Sequence, residues 1–540
     1  MVREKGLRMS LQRQFVSFMV CFLLSGIVCV FGQESALPAP GQSLGDVARK
    51  LRKDPTNEVR MTDSDTKKLF ELVDDVIAFA AKDTGMPNHT PVMRRMVSRA
   101  DVEKYASGRL AKEEYSQRLA QAELSMKKLG FLPREFNLRE YLVKATGQNI
   151  AGYYDDETKT ISLLNWVSLD QQEPILAHEL THALQDQNYD LKKWMQNGAT
   201  PAESAGKGKS SDSNDDSASA RKAAIEGQAM VVYVDYSLAP LGHNLQDSPG
   251  LIYQMEEPAV RATQDSQMLH DAPMILREAG TFAYSEGLIF EGELLHKGGK
   301  EMAFAGVFAR PPRNSHEVLQ PQTYIDGEKL ASVQIPDMHE FLGDQYAVYD
   351  SGGIGELDVR ALLKQFGERK IAKDLSSAWQ GGAYVTYRRT SKPGAENVPA
   401  TPDVALLYVS RWKSAQAAER FAHFYAGAVA QRYRTVTVDA PAPCTEGSCP
   451  VSSSQIMTEE GPVLVEHWAD HSVVVSESFD VPTAAKLQGA VRDAGARAGN
   501  GIGNGQEIGL RLFEIPAFQR FESAIGQRMA EELVAGAWGN

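Results

Sequence analysis

Two histidines four residues apart, with a glutamate beside the first, stand in the stretch AHELTHALQDQ, Ala177 to Gln187. In a helix, positions four apart share a face, so His178 and His182 can converge on one ion. Neutral imidazole is a good ligand for zinc. Glu179 projects to the adjoining edge of that face, where a carboxylate can act as general base toward a water on the metal. The pattern H-E-x-x-H therefore has the spacing of metal-assisted hydrolysis. Five residues also arise by chance, and a histidine pair on a helix is more often a surface pair. The context favours chemistry: apolar Ile175, Leu176, Leu180, Ala183 and Leu184 accompany the pair.

Two histidines leave such a centre incomplete, because a catalytic zinc takes three protein ligands and keeps one open position. No histidine follows His182 until His243. The better third ligand is Glu226 in AAIEGQAMVVYV, a lone acid in apolar surroundings that needs a partner. His243 is the reserve. The competing reading pairs Glu226 with Arg221 or Lys222 on a surface. Gly227 and Ala229 would let the helix carrying Glu226 approach the histidine helix closely. Asp186, four residues beyond His182, is a candidate to accept a ligand histidine's ring N–H and fix its tautomer; a plain surface Asp is the alternative.

The elements that must hold these residues can be read from pattern. DTKKLFELVDDVIAFAAK places Leu69, Leu72, Val73, Val76 and Ile77 on one stripe, and a helical region is expected from about Asp63 to Gly130. GYY and TISLL flank the turn-like DDETK and read as a hairpin. A helix should then run from about Leu169 to Asn188. The Ser, Gly, Ala and Asp stretch at 196–219 reads as a mobile loop. Helical pattern resumes at RKAAIEGQAMVVYVDYSL and again at APMILREAGTFAYSEGLIFEGELLHKGG. From about Asp350, segments such as GAYVTYRR, VALLYVSRW and HSVVVSES read as strands, interleaved with two helices. GNGIGNGQ then separates a final helical tail. The expected fold class is α+β. A mainly helical domain with a small sheet (61–349) carries the site, followed by an α+β domain (350–500) and a helical tail (501–540).

Charge and cysteines bound the setting. With 57 Lys and Arg against 70 Asp and Glu, the formal charge is −13, and no basic block lies beyond the N-terminus. That argues against nucleic acid as partner. MVREKGLRMSLQRQ followed by the apolar FVSFMVCFLLSGIVCVFG reads as a secretory signal peptide over 1–32, with Val30 and Gly32 at the cleavage site and a linker over 33–60. An uncleaved membrane anchor is the alternative. Cys444 and Cys449, close together in PAPCTEGSCP, are expected to form a local disulfide in an exported chain.

AHELTHALQDQ followed by AAIEGQA resembles a gluzincin-type metallopeptidase, in particular a group of exported, mostly uncharacterised bacterial proteins. AGYYDDETKTISL and FARPPRNSHEVLQPQTY extend the similarity over roughly residues 140–390. The long Ser/Asp loop before Glu226 departs from the pattern. The resemblance implies a zincin-like catalytic domain with one zinc ion per chain, His178, His182 and Glu226 as ligands and Glu179 as catalytic base. It implies a peptide or protein substrate but not which one. Gluzincins often use a Tyr or His on the oxyanion of the tetrahedral intermediate, and Tyr284 and His316 are the candidates here. The alternative function is a zinc-binding or cell-envelope scaffold without turnover.

Overall fold

A capping box starts the first helix. Thr62 Oγ1 accepts from Asp65 N–H, while Asp65 Oδ2 accepts from Thr62 N–H. The helix α1 (Asp63–Thr84) buries Leu69, Val73, Val76, Ile77 and Ala80 and stops at Gly85, which adopts φ 74°. The computed structural model describes residues 61–98, 100–101, 113–146, 152–197, 215–254, 267–330, 333, 335–367, 369–390, 399–440 and 449–496, together with 522, 525, 526 and 529. The signal segment at 1–32 and the linker at 33–60 lie outside the described residues, as does Cys444 with the expected Cys444–Cys449 link. Among the described residues no helix is long and apolar enough to cross a membrane.

The continuous helical region expected from Asp63 to Gly130 is divided by a strand. Pro87 and Pro91 follow α1, and strand β1 (Met93–Val97) comes before helix α2 (Glu113–Leu129). The two arginines of MRRMV hide the strand's alternation, and its pairing is non-local. Strands β2 (Gly152–Asp155) and β3 (Thr160–Leu164) form the expected hairpin, in register from Gly152↔Leu163 to Asp155↔Thr160. Asp155 Oδ1 turns it by accepting from Glu157 and Thr158 N–H. β1 joins β3 in parallel, so the sheet order is β1-β3-β2 and β2 is an edge.

Helix α3 (Leu169–Tyr189) carries the histidines. Its start is fixed to the hairpin by Gln172, whose amide accepts from Leu164 N–H and donates to Leu164 O and Val167 O. Helix α4 (Asp215–Leu238) carries Glu226. It begins inside the expected loop, because Ser217 and Ser219, polar by type, are buried. α4 crosses helix α5 (Met274–Lys300) at backbone contact. A Cβ on Gly227 would lie 2.2 Å from Gly287 O, and one on Gly287 would lie 2.3 Å from Ala223 O. The close approach at Gly227 is thus made to α5, and not to the histidine helix α3 as expected.

Strands β4 (Tyr346–Gly353), β5 (Trp379–Arg389), β6 (Val404–Trp412), β7 (Val436–Asp439), β8 (Ser452–Thr458), β9 (Gly461–His467) and β10 (Ser472–Glu477) build an antiparallel sheet in the order β4-β5-β6-β10-β9-β8-β7. Helix α6 (Glu356–Phe366) lies between β4 and β5, helix α7 (Ala415–Arg432) follows β6 and helix α8 (Val481–Ala496) follows β10. Alternate strand residues face opposite sides. Leu406, Tyr408 and Val475 pack with Phe421 and Tyr425 of α7, whereas Leu407, Val409 and Val474 pack with Leu487 of α8. The α7 side is continuous with the core around α1, α3, α4 and α5. Residues 56–540 therefore form one compact α+β unit.

Candidate metal centre

Among the described residues, His178, His182 and Glu226 form a group of potential metal ligands. His178 Nε2 lies 3.2 Å from Glu226 Oε2, His182 Nε2 lies 3.3 Å from the same oxygen, and the two Nε2 atoms are 3.1 Å apart. Three zinc ligands bound at about 2.0–2.1 Å in tetrahedral geometry stand roughly 3.3 Å from one another. The donor set and its spacing fit that ion. Both histidines come from one face of α3, and Glu226 comes from α4, which packs beside it. Arg221 and Lys222, the alternative partners of Glu226, are engaged elsewhere. Arg221 donates to Met195 O, and Lys222 pairs with Glu522.

Without a cation, His182 and Glu226 are each other's charge partner. Burial opposes charge on His182, but the Glu226 carboxylate outweighs it, helped by Glu179 and Gln185, and pushes the imidazole up to about 9. Burial likewise opposes charge on Glu226, yet His182 and His178 hold its carboxyl well below the usual range.

The His182 tautomer is set by Gln185, which sequence reasoning missed. His182 Nδ1 lies 2.9 Å from Gln185 Oε1. Gln185 Nε2 donates to Ile225 O at 3.0 Å and to Gln228 Oε1 at 2.9 Å. A backbone carbonyl can only accept, so the amide orientation is fixed and Oε1 must face the ring. Nδ1 then carries hydrogen, and in the neutral ring Nε2 keeps its lone pair toward the cluster. Gln228 Nε2 continues the chain to Ala303 O and Phe304 O. The available signal was the position of Gln185, three residues after His182 and so on the same helical side.

Asp186 does not take the role expected of it. It accepts from Tyr154 Oη at 2.9 Å and from Leu191 N–H at 3.3 Å, and pairs with Lys159. It ties α3 to the hairpin rather than orienting a ligand. Gln187 ties the same helix to the segment after α1, accepting from His89 and Thr90 N–H. Glu179 is buried, and its Oε2 accepts from Tyr154 N–H on edge strand β2 at 2.9 Å. That contact holds the carboxylate between the strand and the histidines.

Tyr284, on α5, stacks its ring on His178 with centroids 6.1 Å apart. His316 stands apart from the centre. It lies beside Asp216, which accepts from the neighbouring Ser315 N–H, and Asp216 precedes Glu226 by ten residues of α4, about 15 Å along a helix. Its Nδ1 is 2.5 Å from Glu356 Oε2, and its ring lies near Trp379. It is a buried structural partner of Glu356, and the expectation that it stabilises an oxyanion is withdrawn. His243, the reserve ligand, is exposed beyond the end of α4.

Residues 343–488, which contain β4 to β10, match a family described as a domain of unknown function (DUF8575). The match includes none of the three clustered side chains. No curated protein and no solved structure matches the chain.

Proposed function

We propose that the chain is an exported zinc-dependent metallopeptidase, with His178, His182 and Glu226 as metal ligands and Glu179 as general base. The observation that carries this reading is the triangle of two Nε2 atoms and one carboxylate oxygen, with edges of 3.1–3.3 Å, beside a glutamate already positioned by a backbone N–H. A bound zinc ion would supply Lewis acidity, lowering the pKa of a water and polarising the scissile carbonyl. The rest falls to the chain. Gln185 presents His182 in the tautomer that offers Nε2. Tyr154 N–H keeps Glu179 aimed, and its carboxylate takes the proton of the attacking water and passes it to the leaving amine nitrogen. An edge strand such as β2 is the kind of element on which an extended peptide can be laid. The N-terminal signal-like sequence supports action outside the cytoplasm.

The test is Glu179→Gln beside Glu226→Ala, with zinc content and cleavage of casein both measured. The Glu179 variant should keep about one zinc per chain and lose cleavage by roughly two to four orders of magnitude. The Glu226 variant should lose both. Undiminished cleavage by Glu179→Gln would sink the assignment of the base, and a wild-type chain that takes up no zinc would sink the whole reading.

A further inference from the structure

The metal cluster is covered. The side chains of His178, His182 and Glu226 are only 8, 13 and 12 % exposed, whereas a centre that cleaves peptides must admit one. Four residues of the C-terminal tail lie against neighbours of the cluster. Glu522, Ile525, Gly526 and Met529 are helical, and their spacing places them on one face. Glu522, Ile525 and Met529 are all buried. This face touches α4 at Lys222 and α5 at Tyr284. Glu522 pairs with Lys222, which stands one turn before Glu226 on α4. Gly526 lies against Tyr284, the ring stacked on His178, so closely that a Cβ would fall 2.1–2.4 Å from the ring atoms. Burial, with Glu226 adding to it, pushes the Glu522 carboxyl up to about 8 against the pull of Lys222, which sets Glu522 within reach of the cluster's own charge.

We propose that the segment bearing Glu522, Ile525, Gly526 and Met529 is an inhibitory plug that lies over the metal centre, anchored at Lys222 and Tyr284, and must leave before a peptide reaches Glu179. The inference rests on the proposed peptidase function. A buried ion pair adds little net stability, because desolvation offsets its attraction; among the described residues of the segment, Ile525 and Met529 supply the buried apolar side chains. One Glu522 oxygen, Oε1, is buried without a hydrogen-bond partner, so the docked state is not fully satisfied. The segment joins the rest of the chain through the glycine-rich GNGIGNGQ at 499–506.

The test uses the full chain without metal and two variants. Glu522→Lys opposes like charges at Lys222, and Gly526→Leu drives a side chain into the Tyr284 ring. The first readout is the rate at which diethyl pyrocarbonate modifies His178 and His182, followed by mass spectrometry. His316, somewhat more buried and in a separate network, is the control. Release of the plug should speed modification of His178 and His182 by about tenfold or more and leave His316 slow. The double exchange Lys222→Glu with Glu522→Lys should restore protection. Unchanged rates in both variants, or acceleration of His316 in step with the other two, would overturn the plug. The second readout is casein cleavage by the zinc-loaded chain, which should rise in the same variants. Selective unmasking without cleavage in any form would leave the plug standing and refute the peptidase reading.

Discussion

Replacing Gln185 with leucine tests the tautomer argument directly. Gln185 is fully buried and bridges three groups: His182 Nδ1, Ile225 O and Gln228 Oε1. Leucine fills similar space and removes every bond. Ile225 O sits within α4 and remains part of a helical ladder. Two groups, the His182 N–H and Gln228 Oε1, then lose the partner Gln185 supplied. Each such buried group costs about 1–3 kcal/mol, so the metal-free chain should lose roughly 2–6 kcal/mol on urea unfolding. With the ring no longer held, zinc affinity should fall about 10–100-fold, read by competition with a chromophoric chelator. Gln185→Glu separates the two effects. It keeps an acceptor for Nδ1–H but turns a carboxylate oxygen toward Ile225 O and Gln228 Oε1. It should therefore destabilise the chain while retaining more zinc affinity than the leucine variant. A folded Gln185→Leu protein that binds zinc within about threefold of the wild type would refute the claim that Gln185 orients the ligand.

Gly227→Ala places a Cβ 2.2 Å from Gly287 O, a backbone atom that cannot swing away, and should cost about 3 kcal/mol and disturb zinc uptake at the adjoining Glu226. Gly427→Ala, within α7 and facing open space, should instead be neutral or stabilising by up to about 1 kcal/mol; equal losses at the two sites would show that the α4–α5 crossing is not the cause. The contribution of the Glu226–His182 pair to the stability of the metal-free chain, read as the difference from Glu226→Gln, should be greatest between about pH 4.5 and 6.5, the ordinary values of the two groups. His182 is raised on folding, so its contribution is complete below pH 6.5 and is lost as pH rises through about 9. Glu226 is depressed, so its contribution is present above pH 4.5 and is lost as pH falls through its folded value. Thermal unfolding of the wild type and Glu226→Gln with chelator at several pH values checks this, and a difference that grows from pH 6.5 to 9 would contradict it.

The residues nearest the chemistry were the most legible, because their signal is local. A four-residue spacing on a helix fixes a shared face whatever surrounds it, and an isolated acid among apolar residues demands a partner. His178, His182 and Glu226 follow from those two rules, and the structure brings all three together. The hairpin before α3 and most C-terminal strands follow from alternation and turn residues. The losses occurred where a side chain's partner is distant. β1 hides behind two arginines and is defined by pairing with β3 more than sixty residues away. β4 and β8, YAVYDSGG and SSSQIMT, lack an apolar alternation and are strands because a sheet lies beside them. Asp186 and Gln185 are both polar and both close to His182. Only the fold shows that the first turns to Tyr154 and Lys159 and the second to the ring.

The region matched to a family of unknown function also bears on where Glu226 sits. α6 belongs to that region, and its start is locked to the start of α4. Asp216 Oδ1 accepts from Ser315 N–H, Ser315 Oγ accepts from Leu357 N–H, and His316 pairs with Glu356. Gly355 permits this approach, since a Cβ there would lie 2.0 Å from Asp216 Oδ1. A second lock joins the end of α2 and the segment after it to the β8–β9 turn, where Lys128 and Arg134 both pair with Glu460. A helix is stiff over ten residues, so a displacement of Asp216 is carried to Glu226. The position of Glu226 is therefore set from two directions: laterally by the Gly227–Gly287 crossing, and lengthwise by contacts to α6. A C-terminal region serving only as a tethered recognition module would have no need of the second constraint. The shared core and the Asp216 contacts make it part of the frame that holds Glu226 beside His178 and His182.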